Sequence, residues 1–241
     1  MKDLLRRRWS CPIGLLLLWA GAGCTDEQSG LFIQGNAARE APSCSVRAEA
    51  SATLLGYGVL DVGLKLDYDA SLLVGSQLTP RADKDNLRTE TMIAVVEGAE
   101  VHLFDDEGRP VVEFTVPASG VILPDDSGTA GYGIINATLI PQTQGDVLRG
   151  QLEPGQSVTR VAEVSVFGKT VGGLELESAK LRYVIKVCKG CLVDFPPEAL
   201  SAGVCNRFDQ PPTEFPCRTG QDAAVDCRLC ASSQEVCRGA G

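Results

Sequence analysis

Ten cysteines are the most reactive groups in this chain of 241 residues, and they are unevenly spread. Cys188, Cys191, Cys205, Cys217, Cys227, Cys230 and Cys237 crowd the last quarter; Cys44 stands alone ahead of them, and Cys11 and Cys24 lie near the N-terminus. Cys188-Lys189-Gly190-Cys191 and Cys227-Arg228-Leu229-Cys230 are CxxC pairs. In a reducing compartment that spacing is a zinc signal. A single CxxC could instead exchange disulfides, but such motifs sit at a helix N-terminus. Cys188 closes a strand-like run, which disfavours that chemistry.

The other chemistry-bearing groups are sparse. The one histidine, His102, lies between Val101 and Leu103. It reads as a strand residue pointing outward or satisfied locally, and a site built from several histidines is excluded. There is no G-x-S-x-G elbow, HExxH or P-loop. Carboxylates cluster at Asp67 with Asp69, at Asp105-Asp106-Glu107 and at Asp125-Asp126. Acids on loops at one end of a β-sandwich can ligate Ca²⁺, and such a domain could bind carbohydrate. Asp and Gly also build turns, which accounts for each cluster alone. The expectation is therefore no catalytic residues, no metal and no cofactor.

The N-terminus specifies an address. Lys2, Arg6, Arg7 and Arg8 precede an apolar run from Ile13 to Trp19, then small residues and Cys24. That is the layout of a secretory signal peptide. The apolar run is shorter than the roughly 20 residues of a membrane span. Gly21-Ala22-Gly23-Cys24 resembles the lipobox of bacterial lipoproteins, with Gly21 where that family usually has Leu. The resemblance covers this stretch only. It implies cleavage before Cys24, a diacylglyceryl thioether on its sulfur and an acylated new N-terminus, palmitate being a typical chain. Two or more chains anchor a protein stably. Thr25 follows the cysteine where inner-membrane retention would have Asp, so the resemblance to Gram-negative lipoproteins implies the outer membrane. In outline the chain also resembles the cysteine-rich lipoproteins of the Gram-negative envelope, a likeness that implies no activity.

Export decides what the thiols do. Cys11 leaves with the leader and Cys24 takes lipid. Eight cysteines remain: Cys44, Cys188, Cys191, Cys205, Cys217, Cys227, Cys230 and Cys237. An even count in an oxidising compartment reads as disulfides. Seven of the eight lie in the tail, so Cys44 must reach a tail cysteine. The expectation is four disulfides, one of them made by Cys44, with the remaining connectivity open.

Charge excludes one class of partner. The chain carries −9, and the leader holds four bases and one acid, so the remainder lies near −12. An acidic body repels phosphate backbones, which argues against nucleic acid. The expected partners are a membrane, through the lipid, and a protein or glycan of unspecified identity.

The elements that must position these groups are strands. Residues 1–23 form the leader and 24–43 a polar, flexible tether with one apolar patch, Leu31-Phe32-Ile33. From 44 to 187 the pattern has period two. Leu60, Val62, Leu64, Leu66, Tyr68, Ala70, Leu72 and Val74 alternate with mostly polar neighbours, as on a half-buried strand, with a bend near Gly63. Met92 to Val96 and Val101 to Phe104 read as two strands flanking a turn at Gly98. Asp105 to Gly108 and Pro124 to Gly128 read as turns, and Val158 to Phe167 and Leu181 to Val187 as strands. No stretch has a useful helical period. The expectation is an all-β, immunoglobulin-like sandwich, followed over 188–241 by a mostly irregular tail that needs staples.

Overall fold

The computed structural model describes residues 30–82, 89–125, 129–201, 204–207, 212, 214–231 and 233–238. The leader, Cys24 and the start of the tether lie outside the described residues.

Strands dominate the body. In chain order they are β1 (Leu31–Ala37), β2 (Leu54–Leu55), β3 (Gly58–Asp61), β4 (Tyr68–Ser76), β5 (Ala94–Phe104), β6 (Pro110–Ile122) and β7 (Gly131–Ile140). A helix, α1 (Gln142–Gln151), precedes β8 (Ser157–Thr170), β9 (Glu175–Glu177) and β10 (Leu181–Cys188). Among the described residues, one sheet has the order β2-β1-β4-β7 and the other β3-β10-β8-β5-β6, with β9 paired to β8. All pairings in the two sheets are antiparallel except β3, which runs parallel to β10.

The inward positions of both sheets merge into one core. Tyr68, Ala70, Leu72 and Val74 of β4 meet Val101 and Leu103 of β5, Ala162, Val164 and Val166 of β8, and Tyr183, Ile185 and Val187 of β10. Alternate residues of a strand share a face, so a period-two run delivers its apolar members to one side.

The structure corrects four expectations, each for a local reason. Leu31–Ala37, assigned to the tether, is β1, paired along β4. A register shift between Ile33 and Gly35 breaks its alternation, so the period-two signal is absent. The two strands proposed around Gly98 are one, β5. Its register shifts between Val96 and Gly98 against both neighbours, so the glycine marks a bulge rather than a turn. A Cβ on Gly98 would collide with the Phe167 ring.

Third, α1 lies inside the segment expected to lack helix. It buries Gly145 and Leu148, with Leu152 just beyond its end. Gly145 presses on the Leu66 carbonyl, where no Cβ fits. A helical stripe whose first member is glycine carries little hydrophobic signal. Fourth, the long run from Leu60 to Val74 is two strands in different sheets: the chain turns over residues 62–67 and crosses from β3 to β4.

Beyond Cys188 the described residues form only short elements: β11 (Val193–Asp194), β12 (Leu200–Ser201), β13 (Val204–Cys205) and β14 (Val225–Asp226), with 3₁₀ turns. Disulfides join Cys44 to Cys217, Cys188 to Cys191, Cys205 to Cys227 and Cys230 to Cys237. The tail owns a small apolar cluster of Val225, Cys230 and Cys237, against which Leu64 of the body packs.

Candidate functional site

The tail docks on the open end of the sheets by hydrogen bonding, and the junction is polar. Leu60 of β3 bridges Gln221 as an antiparallel partner. The Asp61 amide donates to the Gly220 carbonyl and the Asp222 amide to the Val59 carbonyl, both at 2.9 Å. Gly220 holds φ +80°, and a Cβ there would strike Leu64. Asp222 takes φ +60° without being glycine, a turn that brings its carboxylate back under β3 and β4.

That carboxylate anchors a network. The Tyr68 hydroxyl donates to Asp222 Oδ1 at 3.0 Å, with Oδ2 at 3.1 Å. The Val59 amide and the Gln221 side-chain amide also donate to it, at 2.9 and 3.0 Å. Asn36 Nδ2 donates to the Tyr68 and Tyr183 hydroxyls at 3.0 and 3.1 Å, and Asn36 Oδ1 accepts from the Ser71 amide. Tyr68 is fully buried, and burial, then the Asp222 charge, raises its pKa far above the ordinary phenol value. Burial likewise raises Tyr183. Both phenols therefore stay protonated at neutral pH and keep donating.

Beside this floor lies a cavity of about 400 Å³, a volume typical of small-molecule sites. Arg39 and Ser71 come from the sheet side, and Phe215, Cys217, Arg218 and Asp222 from the tail. The Cys44–Cys217 disulfide ties the turn after β1 to the tail segment that forms one wall. Phe215 is 67% exposed, an aromatic face turned to solvent. Arg39 donates to the Cys44 carbonyl at 3.1 Å and to Ser71 Oγ at 3.2 Å, while its buried Nε has no partner among the described residues. Arg218 donates to the Asp69 carbonyl. Burial, then the neighbouring Arg39 charge, lowers the Arg218 pKa. Arg39 on the sheet side and Arg218 on the tail side thus line a cavity whose walls also carry the acids Glu214 and Asp222.

The groups singled out from sequence are mostly dispersed. Asp67 and Asp69 both bind the Lys65 ammonium, at 2.7 and 2.9 Å. Burial raises the Asp69 pKa, but the hydrogen bonds from Lys65 and Thr138 outweigh it, and the carboxyl sits below its usual range. Asp105 caps the β5–β6 turn and pairs with Arg109 at 2.7 Å. Asp125 accepts from Thr129 at 2.5 Å; Asp126 lies outside the described residues. His102 points outward between Glu100 and Glu113.

The two CxxC pairs do not act as a set. Cys188 and Cys191 bond each other, whereas Cys227 and Cys230 bond Cys205 and Cys237. No four-thiolate zinc cluster is available with all eight oxidised. The Cys188–Cys191 loop is held by Asp61, a fully buried carboxylate that accepts from the amides of Gly63, Gly190 and Leu192 at 2.8 to 3.0 Å.

Sequence reasoning missed the cavity. A tyrosine on the apolar face of a strand was the available signal, since a buried phenol needs a polar partner. Tyr68 and Tyr183 both occupy such positions. Asn36, Gln221 and Asp222 gave no comparable hint, because they lie in segments read as tether and irregular tail.

The fold and its staples define an all-β, disulfide-bonded protein, and the disulfides fit an exported chain. Among the described residues no helix is long and apolar enough to cross a membrane. Neither a protein-family model nor a curated protein matches the chain. Among solved structures, a protein assigned to the late embryogenesis abundant (LEA) class aligns at 10% identity, covering 55% of this chain and 71% of that one with a TM-score of 0.32. A likeness that slight transfers neither fold nor function.

Proposed function

We propose that the chain is an exported, non-enzymatic binding module of the cell envelope, held on the outer membrane by lipid on Cys24. The observation that carries the binding role is the cavity between β1, β4 and the stapled tail. Its floor is a bonded, buried network, so the wall groups are pre-placed rather than recruited. Its occupant would be a compact ligand with one acidic group, for Arg39 and Arg218, and an apolar body, for Phe215.

The immunoglobulin-like reading of the fold belongs to the same proposal. Support comes from strand neighbours: β1, β4 and β7 follow the A-B-E order, and β10, β8, β5 and β6 the G-F-C-C′ order, of variable-type domains.

Calorimetry with small aromatic and aliphatic carboxylates tests the site. Phe215→Ala serves as the probe, since an exposed side chain can be cut back without loss of core. The reading expects a binder whose affinity falls with Phe215→Ala while the unfolding midpoint holds. Binding that ignores both Phe215 and added salt, or no carboxylate binding at all, contradicts it.

A further inference from the structure

The solvent face of the larger sheet carries a constellation that the cavity does not use. Antiparallel register sets His102 of β5 directly opposite Glu113 of β6 on one side and Glu163 of β8 on the other. Directly opposed residues of neighbouring strands share a face. Glu100, two positions before His102 on the same strand, joins that face. The imidazole Nε2 lies 3.1 Å from Glu100 Oε1, and Nδ1 lies 3.4 Å from Glu113 Oε2. One imidazole nitrogen and one oxygen from each of Glu100 and Glu113 fall within 4.8 Å of one another.

The charge balance there is lopsided. Glu163 pairs with Arg182 at 3.3 Å. Among the described residues, no Lys or Arg forms an ion pair with Glu100 or Glu113; His102 is their only basic neighbour at salt-bridge distance. Two carboxylates therefore contact one imidazole on a paired strand surface, with Glu163, itself paired to Arg182, opposite on β8.

We propose that Glu100, His102 and Glu113 form a divalent transition-metal site of the Zn²⁺ class, with Glu163 as the outer carboxylate. The donor set decides the class. Imidazole nitrogen with carboxylate oxygen suits Zn²⁺ and its neighbours, whereas Ca²⁺ takes oxygen alone. Bonds of about 2.0–2.2 Å to a tetrahedral ion place ligand atoms roughly 3.3–3.5 Å apart. One ring nitrogen and one oxygen from each glutamate already lie within 4.8 Å of one another, so a small closure of the cluster reaches that spacing. Glu113, whose side chain is 66% exposed, is free to swing to the shared nitrogen. Three protein ligands leave the fourth position to water or to a donor from a partner surface.

A single histidine makes the test clean. The tag-free chain, with its disulfides verified as intact, is titrated with ZnCl₂ by calorimetry and by NMR of the imidazole protons, which belong to His102 alone. The expected result is one Zn²⁺ per chain with the imidazole resonances shifted, and no response to CaCl₂ at the same protons. His102→Gln removes this binding, by more than the roughly 10–100-fold that loss of an outer partner costs. Glu113→Gln weakens it, and Lys169→Gln, at the other end of the same face, leaves it unchanged. Absence of binding, binding of equal strength in His102→Gln, or binding that leaves the imidazole resonances in place overturns the proposal. None of these outcomes bears on the Phe215 cavity, which lies at the tail junction.

Discussion

The Tyr68 hydroxyl donates to the Asp222 carboxylate at 3.0 Å across a sequence separation of 154 residues. This bond joins the first residue of a core strand to a turn in the cysteine-rich tail. It makes the tail part of the folded body rather than an appendage.

Tyr68→Phe leaves Asp222 and Asn36 each short of a partner, at a cost of about 1–3 kcal/mol in urea unfolding. Asp222→Ala costs at least as much, since the Val59 amide and Gln221 lose their acceptor too. The double variant costs clearly less than the sum of the two, as expected for groups in one network. Additive effects would mean the contact contributes nothing to folding.

The two buried phenols predict an alkaline limit. Their folded-state pKa values are raised above the unfolded value of about 10. The stability they contribute is fully present below that pH and is lost as pH rises beyond it, because only the unfolded chain ionises there. Absorbance at 295 nm should show part of the tyrosine ionising only together with unfolding. Complete ionisation around pH 10, with the circular dichroism unchanged, would contradict this.

The disulfides should not be equivalent. Cys44–Cys217 spans 173 residues and Cys188–Cys191 only 3. On the chain-entropy account the first contributes about 5 kcal/mol and the second about 2. A Cys44→Ser, Cys217→Ser pair should lower the melting temperature more than Cys188→Ser with Cys191→Ser, and should open the segment around Phe215 to protease. Equal losses would point to strain or residual structure instead.

Asp61 offers a fourth test. Its carboxylate serves three backbone amides around the Cys188–Cys191 loop. Asp61→Ala should destabilise by roughly 2–4 kcal/mol, because buried N–H groups without partners are costly. Hydrogen exchange should speed up at Gly190 and Leu192 in particular. Unchanged protection at those two amides would remove this role for Asp61.

What the sequence makes legible follows physical periodicity. The run at Val158 to Phe167 became β8 because it is β-branched and apolar, and Leu181 to Val187 became β10 because alternation leaves little choice of face. The parity of the cysteines left Cys44 in need of a tail partner, but only the fold could pick Cys217. β1 was hidden by its bulge, α1 by a glycine on its packing face, and Gly98 by the resemblance between a bulge and a turn. The cavity was hidden for a different reason. Its residues come from β1, β2, β4 and the tail, and no local pattern in Asn36 or Asp222 encodes a meeting over such separations.

Intact and peptide mass spectrometry on the protein from its native membrane reads the lipid anchor and the disulfides together. The expected chain starts at Cys24 and carries the mass of a diacylglyceryl group and an N-acyl chain. The eight other cysteines of that chain are expected to be oxidised, with Cys44 linked to Cys217. An unmodified N-terminus with free thiols would contradict both the anchor and the staples.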